Sequence, residues 1–216
     1  MLSFVEEIVL LMLDDDTGRL PDLPLASMET VLAGAALMDL ALRDRIDTDL
    51  ERLTVIDPAP LGDDILDDAL HRLAAAENVL TVPAAVEALA THADPYCDQA
   101  LARLVAGGIL REDNGRFLWM FQRRRYPVVD DREQREVRER LRRVVLTDEI
   151  PDPRDVVMIC LVDACGLFGH VLDAEEQGPA RPRIEQLRRM DLIGQAVGTA
   201  VAQIGFTIRH NPSAVF

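Results

Sequence analysis

The chain has 216 residues, of which 49% are hydrophobic and 4% aromatic, and its formal net charge at pH 7 is −15. This length fits one large or two small domains, and the hydrophobic content is typical of a globular protein rather than a disordered one. Such a charge repels nucleic acid and anionic membranes at long range. The charge is uneven, however, because residues 116–143 carry ten arginines against five acidic residues. A molecule with one basic stretch on an acidic body can still dock in a single orientation.

The cysteines and the N-terminus indicate a cytoplasmic protein. Cys97, Cys160 and Cys165 form neither a CxxC pair nor an even set. Cys160 and Cys165 lie in an apolar run, so we interpret them as reduced core residues in a reducing compartment. The N-terminus carries acidic residues and no basic region, so no secretory signal is predicted. All 23 basic residues are arginine, which is a hint of a bacterial, GC-rich genome.

The first helix is predicted at about Phe4 to Leu13, and a capping box of Ser3 and Glu6 precedes it. Further capping and breaking signals place helices along the rest of the chain, with a short strand at residues 53–56. These helices are predicted at about 28–46, 64–76, 81–91, 94–106, 131–146, 183–190 and 192–204. A further helix is predicted to start at Asp152 and Pro153, and Gly166 and Gly169 weaken its end. Residues 178–182, Gly-Pro-Ala-Arg-Pro, are interpreted as a linker within the domain.

The run from Met28 to Ile46 is predicted to be the central helix of the fold. It is apolar nearly all round, which is typical of either a membrane span or the buried axis of a helical protein. Charged residues interrupt it too often for a span of about 20 apolar residues, so we predict a core helix. Gly34 lies among alanines, and this thin part of the helix allows a neighbouring helix to approach closely.

The order Gly-Gly, apolar strand, Asp-Asn-Gly turn and apolar strand predicts a β-hairpin. Its strands are predicted at Ile109–Glu112 and Arg116–Phe121. In the second strand five consecutive residues, 117–121, are apolar, so both of its faces are apolar. Two interpretations stay open: the strand is enclosed in the core, or it offers one face to a sister subunit or a lipid surface.

Arginines follow this hairpin directly. Arg123, Arg124 and Arg125 are candidates for contact with phosphates or anionic lipid headgroups. The arginines of the next helix are interpreted as a solvated face that is paired with Glu136 and Glu139. They are Arg132, Arg135, Arg138, Arg142 and Arg143.

No motif predicts catalysis, a metal site or a cofactor. The four histidines are scattered without paired spacing, and the acidic residues 63–68 fit the positive end of a helix dipole. GxSxG, P-loop and GxGxxG patterns are absent. A winged helix is an alternative, with the loop Arg111 to Arg116 as its wing and Arg103 or Arg111 on phosphate. The acidic wing tip and acidic body argue against nucleic acid as a partner.

Four segments, in this order, resemble the Golgi phosphoprotein 3 family: SFVEEIVLLMLDDDTGRL, VLAGAALMDLALRDRI, LGDDILDDALHRL and LARLVAGGILREDNGRFLWMF. The resemblance covers about Leu2 to Ile204, and LALRDRI is similar to the family's LALRGR signature, with Asp44 where the family has Gly. It implies a compact, mainly α-helical domain with a protruding hydrophobic β-hairpin. For the eukaryotic members it implies a peripheral membrane protein that binds phosphatidylinositol 4-phosphate, serves as an adaptor for the tails of Golgi glycosyltransferases, and self-associates through the hairpin.

The resemblance implies different things for the hairpin and for the headgroup pocket. Leu110, Phe117 and Leu118 match hairpin positions of the family. The pocket uses a Trp before the central helix, an Arg inside it, and two Arg at the start of the helix before the hairpin. Those places here hold Pro24 or Leu25, Ala33, Asp94 and Cys97, so specific phosphoinositide recognition is not expected.

We therefore predict one mainly α-helical domain over residues 1–204, built around a buried central helix with one protruding hairpin, followed by a tail over 205–216. The predicted function is that of a non-enzymatic, cytoplasmic or peripheral membrane adaptor. Its predicted partners are anionic lipid headgroups, client proteins and further copies of the chain, which form a homo-oligomer through the hairpin. Alternatives are a protein-binding oligomeric scaffold without lipid binding and a winged-helix regulator. The hairpin residues expected to contact a membrane or a second subunit are Leu110, Phe117, Leu118, Trp119, Met120 and Phe121.

Overall fold

The computed structural model describes residues 2–21, 23–49, 52–76, 80–113 and 125–200. The predicted mainly α-helical fold is confirmed. In chain order the elements are α1 (Phe4–Met12), α2 (Leu25–Leu42), β1 (Ile46–Thr48), β2 (Leu53–Val55), α3 (Asp64–Ala74), α4 (Val82–Ala90), α5 (Asp94–Ala106), α6 (Arg132–Leu146), α7 (Pro153–Ala164), a 3-10 turn (Leu167–His170), α8 (Ala174–Arg188) and α9 (192–200).

The helix α2 is the buried axis of the fold, as predicted. Every residue from Thr30 to Leu40 is buried, and α1, α3, α4 and α7 pack around it. Among the described residues α2 is also the helix that is long and apolar enough to cross a membrane. However, 67% of that stretch is buried inside the protein, which is the pattern of a core helix.

The central helix ends earlier than predicted, and a small sheet follows it. Asp44 has a φ of 55°, in the left-handed region, and this conformation stops the helix before Ile46. Ile46 instead begins β1, which pairs with β2 in antiparallel register, Ile46 opposite Val55. The predicted strand at 53–56 is thereby confirmed.

Gly34 allows the close helix approach that the sequence predicts. A Cβ atom at Gly34 would lie 2.3 Å from Cγ2 of Val197, a fully buried residue of α9. The helices α9 and α2 therefore pack with their backbones close together at this position.

The prediction of a linker at residues 178–182 is wrong, because α8 runs through them without a break. Pro179 and Pro182 are exposed, so the carbonyl groups that lose an N–H partner face solvent. The opposite face of the helix is buried through Ala180, Ile184 and Leu187. Burial of that face outweighs the local effect of the two prolines.

Candidate functional site

A two-stranded antiparallel ribbon lies between α5 and α6, formed by residues 109–113 and 125–129. Leu110 pairs with Val128 and Asp113 pairs with Arg125. The N–H of Asp113 donates to the carbonyl of Arg125 over 2.9 Å, and the N–H of Val129 donates to the carbonyl of Ile109 over 2.8 Å. The chain that connects the two strands is 114–124.

The ribbon corrects the predicted hairpin. Asp113, predicted as the first residue of the turn, is a paired strand residue, and the partner strand is 125–129 instead of Arg116–Phe121. Asp-Asn-Gly is a strong local turn signal, but the register of a strand pair is set by which side chains it buries. Here the pairing buries Leu110 and Tyr126 against the helices.

The end of the ribbon that is next to residues 114–124 extends beyond the helical body. Leu110, at the base, is 2% exposed, whereas the three consecutive residues Arg111, Glu112 and Asp113 are all exposed, as is Arg125 on the other strand. Successive side chains of a strand point to opposite faces. The body therefore covers neither face of the ribbon at the point where residues 114–124 begin and end.

The base of the ribbon is fixed to the turn that follows α1. The N–H of Tyr126 donates to the carbonyl of Gly18 over 2.7 Å. Gly18 has a φ of +62°, and a Cβ atom there would lie 2.7 Å from the backbone nitrogen of Pro127. Only glycine allows the two backbones to approach this closely.

The structure places only two of the predicted contact residues. Leu110 supports the ribbon base from within the core, and Arg125 is exposed on the ribbon opposite Asp113. The others lie outside the described residues, as does the tail over 205–216. They are Phe117, Leu118, Trp119, Met120, Phe121, Arg123 and Arg124.

The arginines of α6 are ion-paired, as predicted, but not with Glu136 and Glu139. Arg132 and Arg135 pair with the aspartates directly before the helix, whereas the other partners come from distant loops and helices, which the sequence does not place. The pairs are Arg132 with Asp130, Arg135 with Asp131, Arg138 with Asp15, Arg140 with Glu7 and Asp155, Arg142 with Glu176, and Arg143 with Glu149. The positive charge of α6 is therefore balanced within the fold.

A second location matters because the resemblance assigns the headgroup pocket to it. We call it the α2–α5 corner, defined by Leu25 and Glu29 of α2 and by Asp94 and Cys97 of α5. Leu25 is 64% exposed. Burial raises the pKa of the Glu29 carboxyl, and the negative charge of Asp94 adds to this rise.

The α2–α5 corner lacks the groups that a phosphate requires. Burial raises the pKa of the Cys97 thiol to about 12, and the charges of Asp98 and Asp94 add to this effect. Ala33, the position of the family's Arg within the central helix, is 0% exposed. No basic residue occurs in the first two turns of α2 or of α5. A phosphate there would therefore lack hydrogen bonds from charged donors, each of which contributes about 1.5–3 kcal/mol.

Among the described residues, no three histidine, cysteine, aspartate or glutamate side chains form a group that could hold a metal ion. Arg103, the phosphate contact of the winged-helix alternative, donates instead to both oxygens of Asp63 over 2.9 and 3.0 Å. A cleft of about 360 Å³ beside β2 is lined by Arg52, Leu53, Thr54, Val55, Leu73, Ala74 and Leu80, a set without acid, histidine or cysteine.

These features define a helical domain that presents a two-stranded ribbon beyond its body. The sequence model of the Golgi phosphoprotein 3 (GPP34) family matches residues 4–204, nearly the whole chain. The chain belongs to this family. None of the curated proteins compared with the chain matches it.

Proposed function

We propose that the chain is a non-enzymatic, cytoplasmic adaptor of the Golgi phosphoprotein 3 family that docks peripherally on anionic membranes. In this proposal the contact is made by the ribbon and by the residues 114–124 that it carries. The observation that supports it is the exposure of both ribbon faces at Arg111–Asp113 and Arg125. The connecting residues contain the apolar run 117–121, which is suited to the interface of a bilayer.

The charge distribution supports membrane docking through the same surface. Residues 111–125 contain five arginines and two acidic residues, whereas the arginines of α6 are paired within the fold. Each basic residue near an anionic leaflet contributes about 1 kcal/mol of attraction. The body as a whole is acidic, so the attraction is confined to one end and orients the molecule.

Vesicle flotation tests this proposal. We expect the chain to float with phosphatidylcholine vesicles that contain phosphatidylserine, and not with phosphatidylcholine alone. A variant with Arg123, Arg124 and Arg125 changed to Glu should lose flotation. The matched control changes three exposed arginines elsewhere, Arg52, Arg143 and Arg189, to Glu and should retain it. Equal flotation of the two variants, or no flotation of the unmodified chain, would reject the proposal.

A second function is favoured by the same apolar run. Five consecutive apolar residues, 117–121, also suit a contact between two copies of the chain, which makes an oligomeric scaffold without lipid binding. Native mass spectrometry reports the subunit number and any bound lipid in one measurement. An oligomer without lipid, converted to a monomer by Phe117→Ser with Trp119→Ser, would favour the scaffold. A lipid-bound monomer would exclude it.

A further inference from the structure

We propose that Arg19, in the turn after α1, contacts the anionic bilayer together with Arg111 and Arg125 of the ribbon. These three residues are called the arginine patch. The inference rests on the proposed membrane docking and deepens it, because it assigns part of the contact to the helical body instead of to the ribbon alone. Arg19 is far from the ribbon in the sequence, so the two are brought together only by the fold.

A backbone hydrogen bond brings Arg19 next to Arg125. The N–H of Tyr126 donates to the carbonyl of Gly18 over 2.7 Å. Arg19 directly follows Gly18, and Arg125 directly precedes Tyr126. Standard bond lengths then leave at most about 8 Å between the Cα atoms of Arg19 and Arg125. The two side chains therefore start from one small region of the surface.

Arg111 joins the arginine patch from the other strand of the ribbon. Its N–H donates to the carbonyl of Pro127 over 3.0 Å, so the two residues lie opposite each other. Arg125 is two residues before Pro127, which makes it a diagonal neighbour of Arg111 on the same face of the ribbon. Diagonal neighbours of this kind lie about 7–8 Å apart. The three arginines therefore lie on three adjoining stretches of backbone.

The charges of the arginine patch are not balanced by carboxylates in the part of the chain that the structure describes. All three side chains are exposed, and none forms an ion pair there, in contrast to the arginines of α6. Two of the three aspartates in the turn after α1 are engaged elsewhere. Asp14 accepts a hydrogen bond from Thr17, and Asp15 pairs with Arg138 over 2.7 Å. Neighbouring like charges repel each other, and an anionic surface relieves that repulsion.

Apolar surface beside the arginine patch favours a bilayer over a soluble polyanion. Val129 is 63% exposed and lies on the same ribbon face as Arg111 and Arg125. That face also carries one carboxylate, Asp113, opposite Arg125. A bilayer interface offers phosphates to guanidinium groups and apolar depth to aliphatic side chains, whereas a soluble polyanion offers charge alone. The apolar run 117–121 in the connecting chain extends this combination.

Flotation of the full chain with phosphatidylcholine vesicles that contain phosphatidylserine tests the inference through the partition coefficient. Arg19→Gln should lower this coefficient about fivefold, which is the contribution of one basic residue near an anionic leaflet. The matched control is Arg189→Gln, an exposed arginine at the end of α8, which should change it less than about twofold. Equal coefficients of the two variants would overturn the inference.

A charge-conserving variant separates a bilayer contact from an effect on the fold. Arg19→Lys keeps the positive charge and should bind like the unmodified chain. A loss as large as that of Arg19→Gln would assign the effect to the fold and overturn the inference. Arg19-dependent binding of duplex DNA at concentrations where vesicles do not bind would assign the arginine patch to another partner and overturn it as well.

The same experiment distinguishes failure of this inference from failure of the proposed function. If the unmodified chain floats, and the Arg123, Arg124 and Arg125 variant loses flotation while Arg19→Gln does not, docking through the ribbon stands and the inference on Arg19 fails. If the unmodified chain does not float, both fail together.

Discussion

The backbone N–H of Phe4, the first residue of α1, donates a 2.7 Å hydrogen bond to Oδ2 of Asp39 in the last turn of the central helix. Asp39 is 3% exposed, and burial raises the pKa of its carboxyl from an ordinary value of 3.8 to about 6. The hydrogen bond from Phe4 and the charges of Arg43 and Arg154 oppose this rise, and the charge of Asp63 adds to it. A buried carboxylate of α2 thus holds the start of α1.

Asp39 should make the protein more stable as the pH falls from 7 toward 5. Its pKa is higher in the folded than in the unfolded chain, so the folded state binds more protons between about pH 6 and 4. The free energy of unfolding therefore increases in that window, by about 3 kcal/mol at most for this group. Urea unfolding at pH 7.5 and pH 5 measures the increase.

The variant Asp39→Asn should reduce that dependence on pH, because its side chain does not titrate. Glu7 also has a raised pKa, so part of the increase should remain. The control is Asp16→Asn, at an exposed position, which should leave the dependence unchanged. An unchanged pH dependence in Asp39→Asn would show that Asp39 does not titrate in this window.

Glu7 should be required for the packing of α1 against α6 and α7. It is a buried residue of α1 that contacts Arg154 over 2.9 Å and Arg140 over 3.4 Å. Removal of Glu7 leaves the partly exposed Arg154 without its carboxylate partner, whereas Arg140 keeps Asp155. The loss of one partner of a buried ion pair costs up to about 3–5 kcal/mol. We expect a loss of this size in Glu7→Ala, measured by urea unfolding. Glu136→Ala, at an exposed site of α6, should lose less than about 1 kcal/mol.

A side chain at position 34 should destabilise the fold as long as the Val197 side chain is present. A methyl group at Gly34 would lie 2.3 Å from Cγ2 of Val197, so Gly34→Ala should destabilise the fold by about 1–3 kcal/mol. Val197→Ala removes the clashing atoms and should lose stability only through the cavity it leaves. The double variant should lose less stability than the sum of the two single losses. A double-mutant cycle of thermal unfolding measures this difference. Strictly additive losses would mean that the two residues are not in contact.

Gly18 should be needed to hold the ribbon base. Gly18→Ala combines a left-handed backbone with a Cβ atom 2.7 Å from the nitrogen of Pro127. We expect a faster hydrogen exchange of the Tyr126 amide and a loss of about 1–3 kcal/mol. Gly62→Ala is the matched control, since Gly62 has a φ of +77° and nothing within 4 Å of a Cβ atom. Equal effects of the two substitutions would assign the loss to backbone conformation alone.

Local signals in the sequence predicted most of the helices correctly. Ser3 with Glu6, Thr81 with Pro83, and Asp152 with Pro153 each mark a helix start within a few residues, and the structure has helices at those places. Such caps act on backbone groups one to three positions away, so the sequence alone contains what is needed. The resemblance to the Golgi phosphoprotein 3 family likewise rests on four continuous segments, which the sequence shows directly.

Features that depend on distant residues were predicted less well. The pairing of Asp113 with Arg125 is decided by which side chains the ribbon buries, not by the Asp-Asn-Gly turn signal. The partners of Glu7 lie more than 130 residues away in the chain, although a glutamate within an apolar helix could have suggested a buried charge.

The backbone hydrogen bond between Tyr126 and Gly18 also connects the ribbon to the helical body. It joins the ribbon to the turn after α1, and α1 is itself held by Asp39 of the central helix. Two hydrogen bonds from backbone N–H groups therefore connect the ribbon base, through the turn after α1 and α1 itself, to the last turn of the central helix. In the proposed docking, the orientation of this base relative to the membrane would set the tilt of the helical body.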